Sequence, residues 1–196
     1  MTKRRRRARR DLLIGLLIGG LTFGGLLAVL IPVAASRAPL ELCATEPSTF
    51  PDVGVEGWHG EQLENAALIV SVAQERGFGR NGQIIGVMAA MGESSLRNID
   101  YGDWETSGVT NPDGTRTSSI GLFQQQDWWG SVEQRMDPAT AAGLFYARLV
   151  RVSGWAEMEP TLAIHRVQIN ADPDHYARFE QDATAVVDAL SGPCPA

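Results

Sequence analysis

The segment 81–97 constrains the fold most, because its pattern predicts a helix that is apolar on most sides. Its apolar positions are Ile84, Ile85, Met88, Ala89 and Met91. On a helix these positions cover most of the circumference. A helix that is apolar all round is buried in the centre of a domain, because each face needs an apolar neighbour. The sequence therefore predicts a central helix surrounded by other elements.

The rest of the domain also follows helical patterns. Apolar residues recur at helical spacing in 62–77. Three later helices are predicted to begin at acid–proline pairs, since the acid can cap the helix and the proline fits its first turn. These pairs are Asp137-Pro138, Glu159-Pro160 and Asp172-Pro173. Residues 99–117 are rich in turn formers, with a turn at 111–114 and room for a small hairpin. No stretch alternates as a strand does, so the predicted fold class is all-α.

The N-terminal part predicts a membrane segment. Seven basic residues lie within positions 3–10, and residues 12–35 carry no charge. About 20 apolar residues suffice to cross a bilayer, and a basic flank stays in the cytoplasm. We therefore predict a cytoplasmic tail at 1–11, a single transmembrane helix at 12–35, a linker at 36–58 and an extracytoplasmic domain at 59–196. The alternative is a cleaved signal peptide and a secreted domain.

Charge and cysteine content indicate which ligands and cross-links the exported part is expected to have. Residues 37–196 contain 10 basic and 22 acidic residues, so nucleic acid is not expected as a partner, because its binding depends on neutralising phosphates. Cys43 and Cys194 flank the exported part, and an even number of cysteines in an oxidising compartment predicts a disulfide. Two unpaired thiols are the alternative. No Cys or His cluster has metal-ligand spacing, so no metal or other cofactor is predicted.

Glu93 is the residue on which a chemical role depends. It lies near the end of the apolar helix, roughly in line with Ile85 and Ala89. A carboxyl group that leaves the core at its edge is partly desolvated, and desolvation favours the protonated form. Such an acid can donate a proton to a glycosidic oxygen. Periodicity alone leaves the other possibility, an exposed carboxylate in the last helical turn, equally open.

Two short blocks resemble a known family. Glu93-Ser94 and Gly121-Leu122-Phe123-Gln124 are similar to the Glu-Ser and Gly-Leu-Met-Gln signatures of soluble lytic transglycosylases, members of the lysozyme-like superfamily. Further blocks extend the resemblance to exported actinobacterial domains of that superfamily, over about residues 62–190. These blocks are Tyr101-Gly102-Asp103, Trp129-Gly130, Met136-Asp137-Pro138, Phe145-Tyr146, Gly154-Trp155, Val167-Gln168 and Asp174-His175-Tyr176-Ala177.

The resemblance implies a two-lobed helical fold with a sugar-binding cleft, in an enzyme that cleaves peptidoglycan. Glu93 would protonate the glycosidic oxygen between N-acetylmuramic acid and N-acetylglucosamine. It would then act as base while the muramoyl 6-hydroxyl closes a 1,6-anhydro product, a route that needs no second protein carboxylate. The implied substrate-binding residues are Ser94, Tyr101, Gln124, Gln125 and Gln168. Trp128 and Trp129 are further candidates for stacking on sugar rings.

The chain differs from the family pattern at three places. Gly92 precedes the acid, where related domains usually have Gln. Residues 104–118 lengthen the loop between the Tyr-Gly-Asp and Gly-Leu-Phe-Gln blocks. The family block Ala-Tyr-Asn-x-Gly appears here as the segment 163–168, which lacks the tyrosine and offers Gln168 as a polar substitute.

Two other functions are compatible with the same residues. One is a hydrolytic lysozyme, in which Asp103 or Asp100 would position water opposite Glu93. The other is a non-catalytic peptidoglycan-binding component of an envelope or DNA-transfer complex. At the level of single residues, Ser94 can hold Glu93 or the sugar, or it can only cap the end of the helix.

Overall fold

The computed structural model describes residues 50, 52 and 54–191, and these form a helical domain. The helices are α1 (Glu61–Glu75), α2 (Arg80–Ser94), α3 (Asp103–Ser107), α4 (Val132–Met136), α5 (Pro138–Leu149), α6 (Pro160–Gln168) and α7 (Glu180–Leu190). Short 3-10 turns lie at Asp127–Trp129, Trp155–Glu157 and Ala177–Phe179. Within this part of the chain, β-structure is limited to isolated bridges. The predicted all-α class is confirmed.

α2 is the central helix, as its composition predicts. It packs against α1, α5, α6 and α7, and its residues from Gly82 to Met91 are buried. Tyr146 of α5 lies directly over Gly86, where any side chain would collide with the phenol ring. The Tyr146 hydroxyl donates to the carbonyl oxygen of Gly82 at 3.3 Å. The glycines of α2 therefore let a large aromatic ring pack against its backbone.

α2 ends at Ser94, before the predicted end at Arg97. Ser95 and Leu96 both adopt left-handed backbone angles, with φ of 55° and 58°. The Leu96 N–H returns to the carbonyl oxygen of Ala90 at 3.1 Å, which closes the helix. From α1, the side-chain amides of Gln62 and Asn65 donate to the carbonyl oxygens of Ser95 and Leu96, each at 2.8 Å. This double anchor fixes Glu93 in the last turn of α2.

The acid–proline pairs predict two of the three helix starts correctly. The Asp137 carboxylate accepts a hydrogen bond from the Thr140 N–H at 2.9 Å, and α5 begins at Pro138. α6 begins at Pro160. The start predicted at Asp172-Pro173 is wrong, because α7 begins only at Glu180. Between Asp172 and the start of α7, the chain forms turns. The Thr161 hydroxyl donates to the carbonyl oxygen of Pro173 at 2.7 Å and holds this segment in place.

The long loop before the Gly-Leu-Phe-Gln block contains the predicted turn. The Gly114 N–H donates to the carbonyl oxygen of Asn111 at 2.9 Å, and Thr110 and Arg116 form an antiparallel bridge. α3 in this loop and α4 after it were not predicted. α4 carries Arg135, which is buried. Its guanidinium donates to the carbonyl oxygens of Ser118 and Gln125, so it ties the loop to the domain.

Several N-terminal predictions lie outside the described residues. They are the tail at 1–11, the transmembrane helix at 12–35 and the Cys43–Cys194 disulfide. In the part of the chain that the structure describes, no helix has the length and hydrophobicity needed to span a bilayer. The end of the predicted linker packs on the domain: Val55 is buried, and the indole N–H of Trp58 donates to Asp182 of α7 at 3.1 Å.

Candidate active site

The candidate active site is a groove that the side chain of Glu93 lines. This half-buried side chain leaves the last turn of α2 and lines a cavity of about 670 Å³. The long loop, the 3-10 turn at Asp127–Trp129, the end of α5 and the end of α6 supply the other walls. The polar and aromatic lining residues include Asp103, Gln124, Gln126, Trp128, Trp129, Gln168 and Asn170.

Tyr176 holds the carboxyl group of Glu93 from the core side. Its hydroxyl donates a short hydrogen bond to Oε1 of Glu93. Tyr176 is fully buried, and its ring lies against the α2 backbone at Gly92. A Cβ atom at position 92 would lie 2.5 Å from Cδ1 of Tyr176. The glycine that precedes the acid therefore makes room for the tyrosine that contacts it.

Burial raises the pKa of Glu93 to about 7. The hydrogen bond from Tyr176 acts in the opposite direction, since it stabilises the carboxylate, and the negative charge of Asp103 raises the pKa further. Glu93 therefore carries a proton in a large fraction of molecules at neutral pH. Burial and the charge of Glu93 also raise the pKa of Tyr176, which keeps its hydroxyl a donor. The structure places Glu93 at the edge of the core, rather than as an exposed carboxylate.

The three consecutive glutamines of the loop have different environments. Gln124 and Gln126 line the groove. Gln125, which the resemblance assigns to substrate, is instead fully buried, and its amide donates to the carbonyl oxygen of Ala141 at 2.9 Å. Gln125 therefore anchors the loop to α5. Gln124 adopts a φ of 44° and donates to the carbonyl oxygens of Tyr101 and Gly121, each at 3.2 Å.

Ser94 and Gln168 both connect a helix to the same loop. The Ser94 hydroxyl is buried and donates to the carbonyl oxygens of Leu122, at 2.8 Å, and Ala90, at 3.3 Å. Its hydroxyl therefore bonds to backbone rather than to the carboxyl group of Glu93, and Ser94 is not among the residues that line the groove, contrary to its implied role in substrate binding. Gln168 does line the groove, and its amide donates to the carbonyl oxygen of Phe123 at 3.1 Å.

The remaining candidates divide between the groove and the outer surface. Asp103, at the start of α3, lines the groove with Glu93. Asp100 is exposed and takes no part in the groove lining. Tyr101 is 46% exposed and also lies outside the lining, although its carbonyl oxygen holds Gln124. Of the two acids proposed as a second carboxylate, only Asp103 lines the groove.

Sequence reasoning did not single out Gln126, Arg148 and Asn170, which line the groove, or Tyr176, which contacts Glu93. Tyr176 belongs to one of the resemblance blocks, but no local pattern distinguishes it from an ordinary core aromatic. Gln126 follows two glutamines that were already candidates, but the turn at Gln124, with its φ of 44°, gives no regular alternation that would tell which of the three faces the groove. The side-chain oxygen of Gln126 is buried and accepts no hydrogen bond within the described residues.

Both tryptophans of the 3-10 turn line the groove. Trp128 is 59% exposed, and Trp129 is half-buried beneath the guanidinium of Arg148, which lies 3.5 Å from the ring centroid. An exposed indole face beside amide groups is suited to a sugar ring, since the apolar face of the sugar stacks and its hydroxyl groups bond to the amides. Trp128 therefore offers an exposed aromatic side chain within a groove that also contains amide groups.

Neither a metal site within the described residues nor a match to a known protein assigns a role to the groove. Within residues 54–191, no three or more His, Cys, Asp or Glu side chains are grouped so that they could hold a metal ion. No protein-family model matches the chain, and no curated protein matches it.

Proposed function

We propose that this domain is a lysozyme-like enzyme that cleaves the β-1,4 bond between N-acetylmuramic acid and N-acetylglucosamine in peptidoglycan, as a lytic transglycosylase. One observation supports the proposal most. Glu93, whose pKa is raised to about 7, faces a groove lined by amides and tryptophans. The amide groups both donate and accept hydrogen bonds, which suits the N-acetyl and hydroxyl groups of the glycan.

Glu93 would act first as a general acid. An acid whose pKa lies near the working pH is both protonated in part and able to release its proton. Its proton passes to the glycosidic oxygen as the C1–O bond breaks, and the Tyr176 hydroxyl stabilises the carboxylate that forms. The carboxylate then takes the proton of the muramoyl 6-hydroxyl as that oxygen bonds to C1. The 1,6-anhydro product forms without added water, and Glu93 regains its proton.

Hydrolysis is the second candidate, and Asp103 favours it. Asp103 lines the same groove, and its charge raises the pKa of Glu93. A carboxylate across the groove can orient a water molecule, as in inverting glycosidases, where the two carboxyl groups lie roughly 6.5–9.5 Å apart. Mass spectrometry of digested wall separates the two reactions. Anhydro-muramic ends indicate a transglycosylase, and reducing ends indicate a lysozyme.

The variant Glu93→Gln tests catalysis directly. Glutamine has nearly the same shape and can still accept the Tyr176 hydrogen bond, but it cannot transfer the proton. Loss of a general acid slows cleavage by about 10²–10⁴-fold, while binding to purified wall should persist. Glu64→Gln, at an exposed position of α1, is the matched control and should retain activity. If wild type and Glu93→Gln bind the wall but are equally inert, the domain is a non-catalytic binding component.

The proposed substrate agrees with the predicted location. A basic tail at 1–11 and an uncharged segment at 12–35 would anchor the chain in the cell membrane and place the domain on the outer side, beside the wall. Cell fractionation of the full chain tests this placement. Recovery in the membrane fraction supports an anchor, and recovery of a shortened chain in the medium indicates a cleaved signal peptide.

A further inference from the structure

Arg148 lies in the groove with Glu93, but the proposed cleavage gives it no role. It belongs to the last turn of α5. Its guanidinium carbon lies 3.5 Å from the Trp129 ring centroid, and Nη2 donates to the carbonyl oxygen of Trp128 at 3.4 Å. These contacts hold the planar guanidinium in one orientation on the groove wall. Stacking of this kind is specific to arginine, whose guanidinium is flat and weakly hydrated.

No carboxylate neutralises this cation within residues 54–191, where Arg80 and Asp188 form the salt bridge that the structure describes. The other ionisable residues of the groove lining, Glu93 and Asp103, are both acids. Burial lowers the pKa of Arg148, and the like charge of Arg151 lowers it further, yet an arginine stays charged at neutral pH. A partly desolvated cation of this kind has N–H donors free for an anion.

We propose that Arg148, stacked on Trp129, forms a carboxylate subsite that recognises the muramic acid units of the glycan. This inference rests on the proposed function. Muramic acid differs from N-acetylglucosamine by a lactyl ether, which ends in a carboxyl group or continues into a peptide that carries carboxylates. The paired donors of a guanidinium match the two oxygens of a carboxylate. The subsite would therefore select the wall polymer over neutral N-acetylglucosamine polymers.

The charge of the domain makes such a subsite useful. Residues 37–196 carry 10 basic and 22 acidic residues, and Asp103 adds local negative charge to the groove. An anionic polymer is repelled by such a surface unless a cation stands at the point of contact. Arg148 supplies that cation inside the groove, where screening by salt is weaker than at the open surface.

Calorimetric binding to the full chain in detergent tests the subsite, with Glu93→Gln present throughout to prevent cleavage. The ligands are a neutral N-acetylglucosamine tetrasaccharide, a muramic tetrasaccharide with free lactyl carboxyl groups, and the same tetrasaccharide bearing its peptides. Arg148→Ala should weaken binding of the carboxylate ligands about ten-fold and leave the neutral ligand within about two-fold. Arg148→Lys, which keeps the charge without the stacked plane, should fall between. Arg151→Ala is the control for overall charge.

Two kinds of result would overturn the proposal. Equal losses for neutral and charged ligands would mean that Arg148 only supports Trp129. No loss, or a loss that Arg151→Ala reproduces, would mean that no direct contact exists. Within the expected result, a loss confined to the peptide-bearing ligand would place the carboxylate on the peptide, and a loss confined to the ligand with free lactyl carboxyl groups would place it on the lactyl group. A loss with both would show that the subsite accepts a carboxylate from either source, because the lactyl carboxyl of the peptide-bearing ligand is an amide. If wild type fails to cleave wall but the selectivity for carboxylate persists, the proposed function fails and the subsite stands.

Discussion

The ring of Tyr176 fills the space that a side chain at position 92 would need. A Cβ atom on Gly92 would lie 2.5 Å from Cδ1 and 2.8 Å from Cε1 of Tyr176. This close approach lets the hydroxyl reach Oε1 of Glu93 from the core side. Gly92 and Tyr176 therefore act as one unit. The chain lacks a tyrosine in the segment 163–168 but supplies one beside the acid from position 176.

Gly92→Ala should destabilise the domain by about 1–3 kcal/mol, the usual cost of overpacking a core. Tyr176→Phe should not relieve this cost, because the ring remains, whereas Tyr176→Ala should relieve part of it. Urea unfolding of the single and double variants measures the coupling. Gly79→Ala is the control, since a Cβ atom there meets no other atom within 4 Å. Strictly additive effects of Gly92→Ala and Tyr176→Ala would contradict the packing argument.

Tyr176→Phe should move the pH profile of cleavage upwards. The Tyr176 hydrogen bond lowers the pKa of Glu93, so its loss raises that pKa above about 7. The limb at which the general acid loses its proton then shifts to higher pH, and the rate falls about ten-fold because the carboxylate loses its donor. Tyr146→Phe removes another buried hydroxyl, which donates to Gly82. It should affect stability and leave the pH profile in place.

The stability of the domain should fall as pH rises, and Glu93→Gln should remove that fall. The pKa of Glu93 is raised in the folded state to about 7, from an ordinary value of 4.5. The folded state thus binds the proton more tightly than the unfolded chain does. The stabilisation is complete below pH 4.5 and is lost as pH rises through about 7. The loss is on the order of 3 kcal/mol. Denaturant unfolding of both proteins between pH 4 and pH 8.5 measures it, and parallel curves would contradict the account.

Gln126→Ala should weaken ligand binding, whereas Gln125→Ala should lower the stability of the domain. Gln126 lines the groove, so truncation of its side chain should weaken binding of wall oligosaccharides several-fold and leave stability unchanged. Gln125 is buried and holds the carbonyl oxygen of Ala141, so its loss should cost about 1–3 kcal/mol of unfolding free energy. Calorimetric binding and urea unfolding of the two variants separate these roles. The same ranking for both properties would show that the glutamines are assigned wrongly.

The helices whose signals are local were predictable. α2 is apolar over most of its circumference, and the Asp137 cap lies next to the helix it begins, so neighbouring residues contain the information. The start of α7 was mispredicted because the Thr161 hydroxyl, distant in sequence, holds Pro173 in a turn. α4 was missed because Arg135 reads as a surface residue, whereas in the fold its guanidinium satisfies backbone carbonyl groups of the loop.

The site was predictable at Glu93 and less so around it. Glu93, Gln124 and Gln168 follow from sequence blocks, and the structure brings them to one groove. Tyr176 lies 83 residues from Glu93, and their contact depends on how α2 and the segment before α7 pack. Gln125 was assigned to substrate because composition does not tell which of two neighbouring amides faces the core.

A measured pKa of Glu93 shows directly whether this side chain can hold the proton that the proposed cleavage requires. Titration of the side-chain carboxyl carbon by ¹³C NMR measures it, with Glu93→Gln used to assign the signal. We expect the carboxyl group to titrate with a midpoint of about 7, because burial raises its pKa. A midpoint near the ordinary value of 4.5 would show a solvated carboxylate, which is ionised at neutral pH and cannot serve as the acid.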